Sequence, residues 1–159
     1  MIVALDLENL FDYVHHYEEV HRNLEKSCDV IEHAPDVKYA FANAYYLATN
    51  NPDQYFWYTS WEIILIESEA IIGGLCFKGP PDDTGAVEIG YSIYDNYEGH
   101  GYATEAITAL ITWAFKTHGI SKFTATVAHN NIKSKRVLVK LGFKIDSYDD
   151  SFEWWLKET

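Results

Sequence analysis

The chain has 159 residues, 48% of them hydrophobic and 23% charged, enough for one domain with a sizeable core and unlike the composition of a disordered polymer. Its net charge of −12 and pI near 4.8 argue against a nucleic-acid surface as its main business. Two cysteines lack any C-x-x-C spacing, Asp6 and Glu8 break up the leading apolar residues, and no apolar run approaches the ~20 residues of a membrane span, so a soluble cytoplasmic protein with no membrane partner is expected.

In chain order, Met1–Leu5 reads as a short strand. Asp6 caps a helix in which Leu7, Leu10, Phe11, Val14 and Tyr17 recur at helical spacing, expected to run to about Glu18-Glu19. His15, His16, His21 and His33 offer no i, i+4 His pair, and no metal site is read from them. Asp36 caps a second amphipathic helix through Val37, Phe41, Tyr45 and Leu47, which Pro52 cannot continue. Tyr55, Trp57, Trp61 and the later Tyr94 belong either to the core or to an acceptor pocket. Trp61–Glu67 and Ile71–Phe77 read as an antiparallel hairpin, with Gly73-Gly74 marking a bulge or a close backbone approach. Ala86–Tyr94 is the next strand of a meander.

The stretch from Glu88 to Ala114 organises the rest. A strand ending in Ile89, Tyr91, Ile93 and Tyr94 leads into Gly99-His100-Gly101, and Tyr102-Ala103-Thr104-Glu105 opens a helix. First-turn helix N–H groups lack intrahelical acceptors, and the dipole adds partial positive charge there. Glycines let an anion approach the backbone, so this loop is suited to a coenzyme pyrophosphate. The helix places Ala103, Ile107, Leu110 and Ala114 on one stripe and Thr104, Thr108, Thr112 and Lys116 opposite, with Gly119 as its stop. Glu105 complements the helix dipole in the first turn. Lys122–Ala128 alternates as a strand, which makes strand, helix and strand a parallel crossover. His129-Asn130-Asn131 is a turn, Ser134–Leu141 a short helix with Val137, Leu138 and Leu141 inward, and Phe143–Tyr148 with Phe152–Leu156 a closing hairpin. One of Trp154 and Trp155 must face inward. Between Ala106 and Ile145 there is no Asp or Glu against seven Lys and Arg residues, a basic run that suits a polyanionic ligand.

Three segments carry a family resemblance: Ile89-Gly90-Tyr91, the loop-helix run Glu98-Gly99-His100-Gly101-Tyr102-Ala103-Thr104-Glu105-Ala106, and the pattern from Asn131 through Ser134, Arg136-Val137-Leu138 and Lys140 to Gly142-Phe143. In this order they resemble the GNAT acetyltransferases, most of all the branch containing the ribosomal-protein N-terminal alanine acetyltransferases. The resemblance implies an α/β (α+β) fold over residues 1–159 as a single domain: a mixed central sheet of about six to seven strands with a V-shaped splay, flanked by about four helices. It implies acetyl-CoA as cosubstrate and no metal. Around Gly99, His100, Gly101, Tyr102 and Ala103 the backbone would hold the pyrophosphate, with the Thr104 hydroxyl nearby. Tyr91 and Ile93 match the positions whose backbone pairs with the pantetheine arm. Asn131 matches the residue that hydrogen-bonds that arm, and Ser134 lies one turn on. Lys133, Lys135, Arg136 and Lys140 are candidates for the 3′-phosphate. Similar proteins are commonly homodimers.

The chain also departs from the family. Asn96 and Glu98 stand where Gln or Arg is usual before the first glycine, and a Glu98 side chain turned to solvent is expected. Leu138 stands where many members carry a Tyr that protonates the leaving thiolate. The chemistry implied is attack of a neutral amine on a thioester, which needs a base because a lysine-type amine has a pKa of about 10.4 and an α-amine one of about 7.7–8.0. Glu88 is the candidate base or water relay, or else a substrate-orienting or merely exposed residue, and a bulge in its strand would turn it to the other face. An N–H near Tyr91 would polarise the carbonyl. The expected function is N-acetyl transfer from acetyl-CoA to a primary amine, of a protein N-terminus or a small molecule. The alternative is a module that binds acyl-CoA without turnover.

Overall fold

The computed structural model describes residues 1–15 and 35–159. Cys28, His16, His21, His33 and the predicted second half of the first helix lie outside the described residues. The chain divides into two compact units, Met1–Cys76 and Phe77–Thr159.

The first unit holds β1 (Ile2–Ala4), α1 (Leu7–His15), α2 (Pro35–Asn50), a 3-10 helix over Pro52–Trp57, β2 (Ser60–Ile64) and most of β3 (Ile71–Phe77). The three strands pair antiparallel in the order β1-β2-β3. Asp6 is the expected cap: its Oδ1 accepts the Asn9 N–H at 2.8 Å. Leu5, Leu10 and Ala48 form a buried cluster, closed by Phe41, Ala44, Tyr45, Tyr55 and Tyr58. Thr59 is fully buried, and its hydroxyl donates to the Leu5 carbonyl at 2.7 Å, which removes the cost of an unpaired polar group. Trp57 and Trp61 are buried core residues. The expected hairpin is present, but β2 stops at Ile64 rather than Glu67, and its register with β3 shifts between Ile63 and Ile64.

The second unit holds β4 (Ala86–Ile93), α3 (Tyr102–His118), β5 (Lys122–Ala128), α4 (Ile132–Lys140), β6 (Lys144–Tyr148) and β7 (Phe152–Glu158). Its strands run in the order β4-β5-β7-β6, the first pair parallel and the other two antiparallel. Seven strands with mixed pairing and four α-helices among the described residues make the α/β class expected from the sequence. On α3, Ala106, Ile107, Leu110, Ile111 and Ala114 are buried, and Gly119 ends the helix in the left-handed region at φ 70°. Phe123, Ala125 and Val127 are buried on β5, and Trp155 faces inward on β7 while Trp154 does not. Phe123 is fully buried, and hiding such a side chain stabilises the fold by about 1.5–3 kcal/mol.

One feature of this unit positions the site. Strands β4 and β5 pair at Ala86↔Lys122, Val87↔Phe123 and Glu88↔Thr124, and then separate. Strand β4 runs on to Ile93 and β5 to Ala128 without pairing with each other, so the backbone groups that β4 turns toward β5 beyond Glu88 are left for another partner.

Candidate active site

All parts of the site belong to the second unit. The N-cap position of helix α3 is Gly101, which sits at φ 89° and ψ −1° and supplies no side-chain cap. The N–H groups of Tyr102, Ala103 and Thr104 therefore have no intrahelical acceptor and end at the partly positive pole of the helix.

A cavity of about 690 Å³ opens at this point. Its wall includes Tyr91, Ile93, Gly99, Gly101, Tyr102, Ala103, Thr104, Asn131 and Ser134, nine of the ten cofactor residues expected from the sequence. His100 is not in the wall: it is exposed, its ring stacks on Tyr102 at 5.6 Å between centroids, and its Nδ1 lies 3.3 Å from the Tyr97 carbonyl. Ser92, Tyr97, Glu98, Lys133, Arg136, Val137 and Lys140 complete the wall.

Helix α4 supplies the basic side. Lys133, Arg136 and Lys140 face the cavity, whereas Lys135 does not: its Nζ donates to Glu153 Oε1 at 2.6 Å. That hydrogen bond, with those from His129 and Trp155, holds the Glu153 carboxyl below the usual carboxylate range against the opposing effect of burial. Glu98 does not turn to solvent as expected. Its carboxylate accepts from Lys133 Nζ and is one-third exposed, because an acid beside a helix N-terminus and a basic helix finds a cation within reach. The Glu98 hydrogen bond and charge raise the Lys133 pKa above its ordinary value.

Asn131 caps α4, its Oδ1 accepting the Ser134 N–H at 3.0 Å, which leaves the amide NH₂ as a donor for a ligand. Tyr91 donates its hydroxyl to the Ser134 carbonyl at 3.2 Å and so ties β4 to α4. Burial pushes the Tyr91 phenol up, and the bond to Ser134 opposes this.

Glu88 lies outside the cavity wall, on the last paired rung of β4 and β5. Val87 and Ile89 are buried on one face of the strand while Glu88 is one-third exposed on the other, so the alternation runs unbroken through this position. Its Oε1 accepts from Lys78 Nζ at 2.5 Å and from Thr126 Oγ1 at 2.8 Å. Neither partner was foreseen, because both depend on strand register. Leu138 is fully buried and offers no proton. Among the described residues, no group of three or more His, Cys, Asp or Glu is placed to hold a metal ion, and no helix is long and apolar enough to cross a membrane.

A parallel strand pair that opens after three rungs, a glycine turn feeding an uncapped helix and a basic helix facing it define the GNAT fold class. Residues 2–144 match the family model described as acetyltransferase (GNAT) domain, and the chain belongs to that family. It is 34% identical to the uncharacterized N-acetyltransferase YjdG of Bacillus subtilis over 113 residues, which is 71% of this chain but 66% of YjdG, so the chain spans just under two thirds of that relative. A solved ribosomal-protein-S5-alanine acetyltransferase from Vibrio fischeri superposes with a TM-score of 0.70 at 17% identity, over 99% of this chain and 91% of that one. A spermidine N-acetyltransferase from Vibrio cholerae, solved as a dodecamer, gives 0.66 at 14% identity over 99% and 92%.

Proposed function

We propose that the protein is an N-acetyltransferase that passes the acetyl group of acetyl-CoA directly to a primary amine. The observation that carries this reading is the cavity at the splay. It places unpaired strand backbone, an uncapped helix N-terminus and three α4 cations along one wall, as a long ligand with an amide arm and phosphates requires. The amides of Tyr102 to Thr104 would hold the pyrophosphate, the freed β4 backbone near Tyr91 and Ile93 the pantetheine arm, and Asn131 a polar group of that arm. The family match runs through both units, which supports taking residues 1–159 as one GNAT domain.

In the reaction the amine must lose a proton to attack the thioester carbonyl. Glu88 is the base in this reading, held by Lys78 and Thr126 through Oε1. The C–N bond forms, the C–S bond breaks, and the thiolate leaves without a proton from the Leu138 position. The acceptor is a primary amine. The names of the similar proteins point to two kinds, an alanine of a ribosomal protein and spermidine.

The test is release of free thiol from acetyl-CoA with a panel of N-terminal alanine peptides and small amines. Amine-dependent thiol release supports the reading. The second reading, an acyl-CoA-binding module without turnover, draws on the buried Leu138 and on a Glu88 already engaged with Lys78. Tight CoA binding with no thiol release across the panel would establish it in place of the first. If neither CoA nor acetyl-CoA raises the melting temperature, both fail.

A further inference from the structure

The cavity wall contains three cations and one acid, and the acid is paired with one of the cations. Glu98 follows the 3-10 turn Asp95–Tyr97 and directly precedes Gly99, so it joins the cavity wall from the loop that leads into α3. The N-terminal end of α3 favours an anion in this cavity, and Glu98 is the acid of the wall. Lys133, in the first turn of α4, reaches across to it, and Asp95 adds further negative charge nearby. Arg136 and Lys140 form no ion pair among the described residues and face the same space. Of the three cations, then, Lys133 is the one whose charge is already matched. Its side chain is 75% exposed against 32% for Glu98, so the lysine is the freer of the two to change partner.

We propose that Glu98 is an internal competitor for the ligand's phosphate: it holds Lys133, and a phosphate group entering the cavity must take Lys133 from it. This inference rests on the CoA reading of the cavity and adds to it a tuning element. Binding exchanges a carboxylate–ammonium pair for a phosphate–ammonium pair, and the carboxylate passes to solvent. Lys133 therefore contributes less to affinity than an unpaired cation would, and Glu98 sets by how much. Simple repulsion between Glu98 and the phosphates is a different mechanism, because it would act whether or not Lys133 is present.

The two are separated by a double-mutant cycle measured by calorimetric titration of CoA into the wild-type protein, Glu98→Gln, Lys133→Met and the double variant. Competition predicts that Glu98→Gln tightens CoA binding by about two- to fivefold, the scale of an exposed ion pair, and that the gain shrinks to within error of onefold when residue 133 is Met. An equal gain in both backgrounds, or no gain in the wild-type background, overturns it. Melting temperatures show that each variant is folded before it is titrated. Absence of CoA binding by all four proteins would overturn the proposed function itself, whereas normal wild-type binding without coupling overturns the competition alone.

Discussion

Gly101 is the N-cap of α3 with φ 89° and ψ −1°, a conformation in which an L side chain crowds its own backbone. A Cβ built there meets no heavy atom within 4 Å, so Gly101→Ala introduces backbone strain and no clash. Left-handed backbone costs an L residue about 1–2 kcal/mol. For a domain of this size each kcal/mol lowers the melting temperature by about 2–4 °C, so a loss of about 2–8 °C is expected. Asn tolerates this conformation better through local hydrogen bonding, and Gly101→Asn should lose less than Gly101→Ala despite its greater bulk. Thermal unfolding followed by circular dichroism gives the order directly. The same strain reaches the ligand, because relaxing φ at residue 101 rotates the peptide that leads into the amides of Tyr102 and Ala103. CoA affinity should thus fall further for Ala than for Asn. An alanine variant as stable as the parent, or an asparagine variant worse than alanine, would refute the reasoning, the second by showing that space and not φ governs the position.

Other consequences are open to measurement. Glu88→Gln should lower kcat by about 10²–10⁴ while leaving the CoA Kd unchanged, and an unaltered kcat removes Glu88 as the base. Leu138→Ala, at a fully buried position, should cost about 2–5 kcal/mol in urea unfolding, and a loss well below that would contradict its burial. Asn131→Ala should cost about 1 kcal/mol through loss of the α4 cap, seen in the same titration. Glu153 is held low chiefly by Lys135, Asp149 by the N–H groups of Ser151 and Phe152, and Asp82 by Thr84. Folded pKa values below the unfolded ones mean that this stability is complete above the unfolded carboxylate values near ~4 and is lost as pH falls through the lower folded values. The melting temperature should hold from neutral pH to about 5 and drop below about 4, less steeply in Lys135→Met; an equally steep drop in that variant would show that the Glu153 pair is not part of the cause.

The elements that a local pattern dictates were legible in the sequence. The apolar stripe of α3 and the alternation of β5 each repeat at the period of their own backbone, and each folds accordingly, with Gly119 as the stop. The glycine loop was equally readable, since its demand for left-handed backbone is written in residues 99 and 101. What failed lacked such a period. The aromatic run after Pro52 forms a 3-10 helix for which no element was expected, because three-residue hydrogen bonding leaves no amphipathic signature in so short a stretch. Helix α4 starts at Ile132, two residues before the predicted Ser134, since the Asn131 side chain caps it. Lys78 and Thr126 meet Glu88 only through tertiary placement, Thr126 lying 38 residues along the chain, which no local pattern encodes.

The basic run shows where that boundary falls within a single helix. Counted along the chain, seven cations without an acid suggested one polyanion-binding face. Helical spacing divides those on α4: Lys133, Arg136 and Lys140 are three and then four residues apart and share a face, while Lys135 lies on another. The structure follows that division, with the first three in the cavity wall and Lys135 bound to Glu153. The cavity-facing set is therefore encoded at the helix period and not in the run as a block. The helix period does not encode the further division between Lys133, matched by Glu98, and the other two. That depends on how closely the loop before α3 approaches the first turn of α4, two segments 35 residues apart in the chain. Net charge along a sequence is thus a poor measure of the charge a ligand meets, and the ion pairs inside the wall determine how much of it remains available.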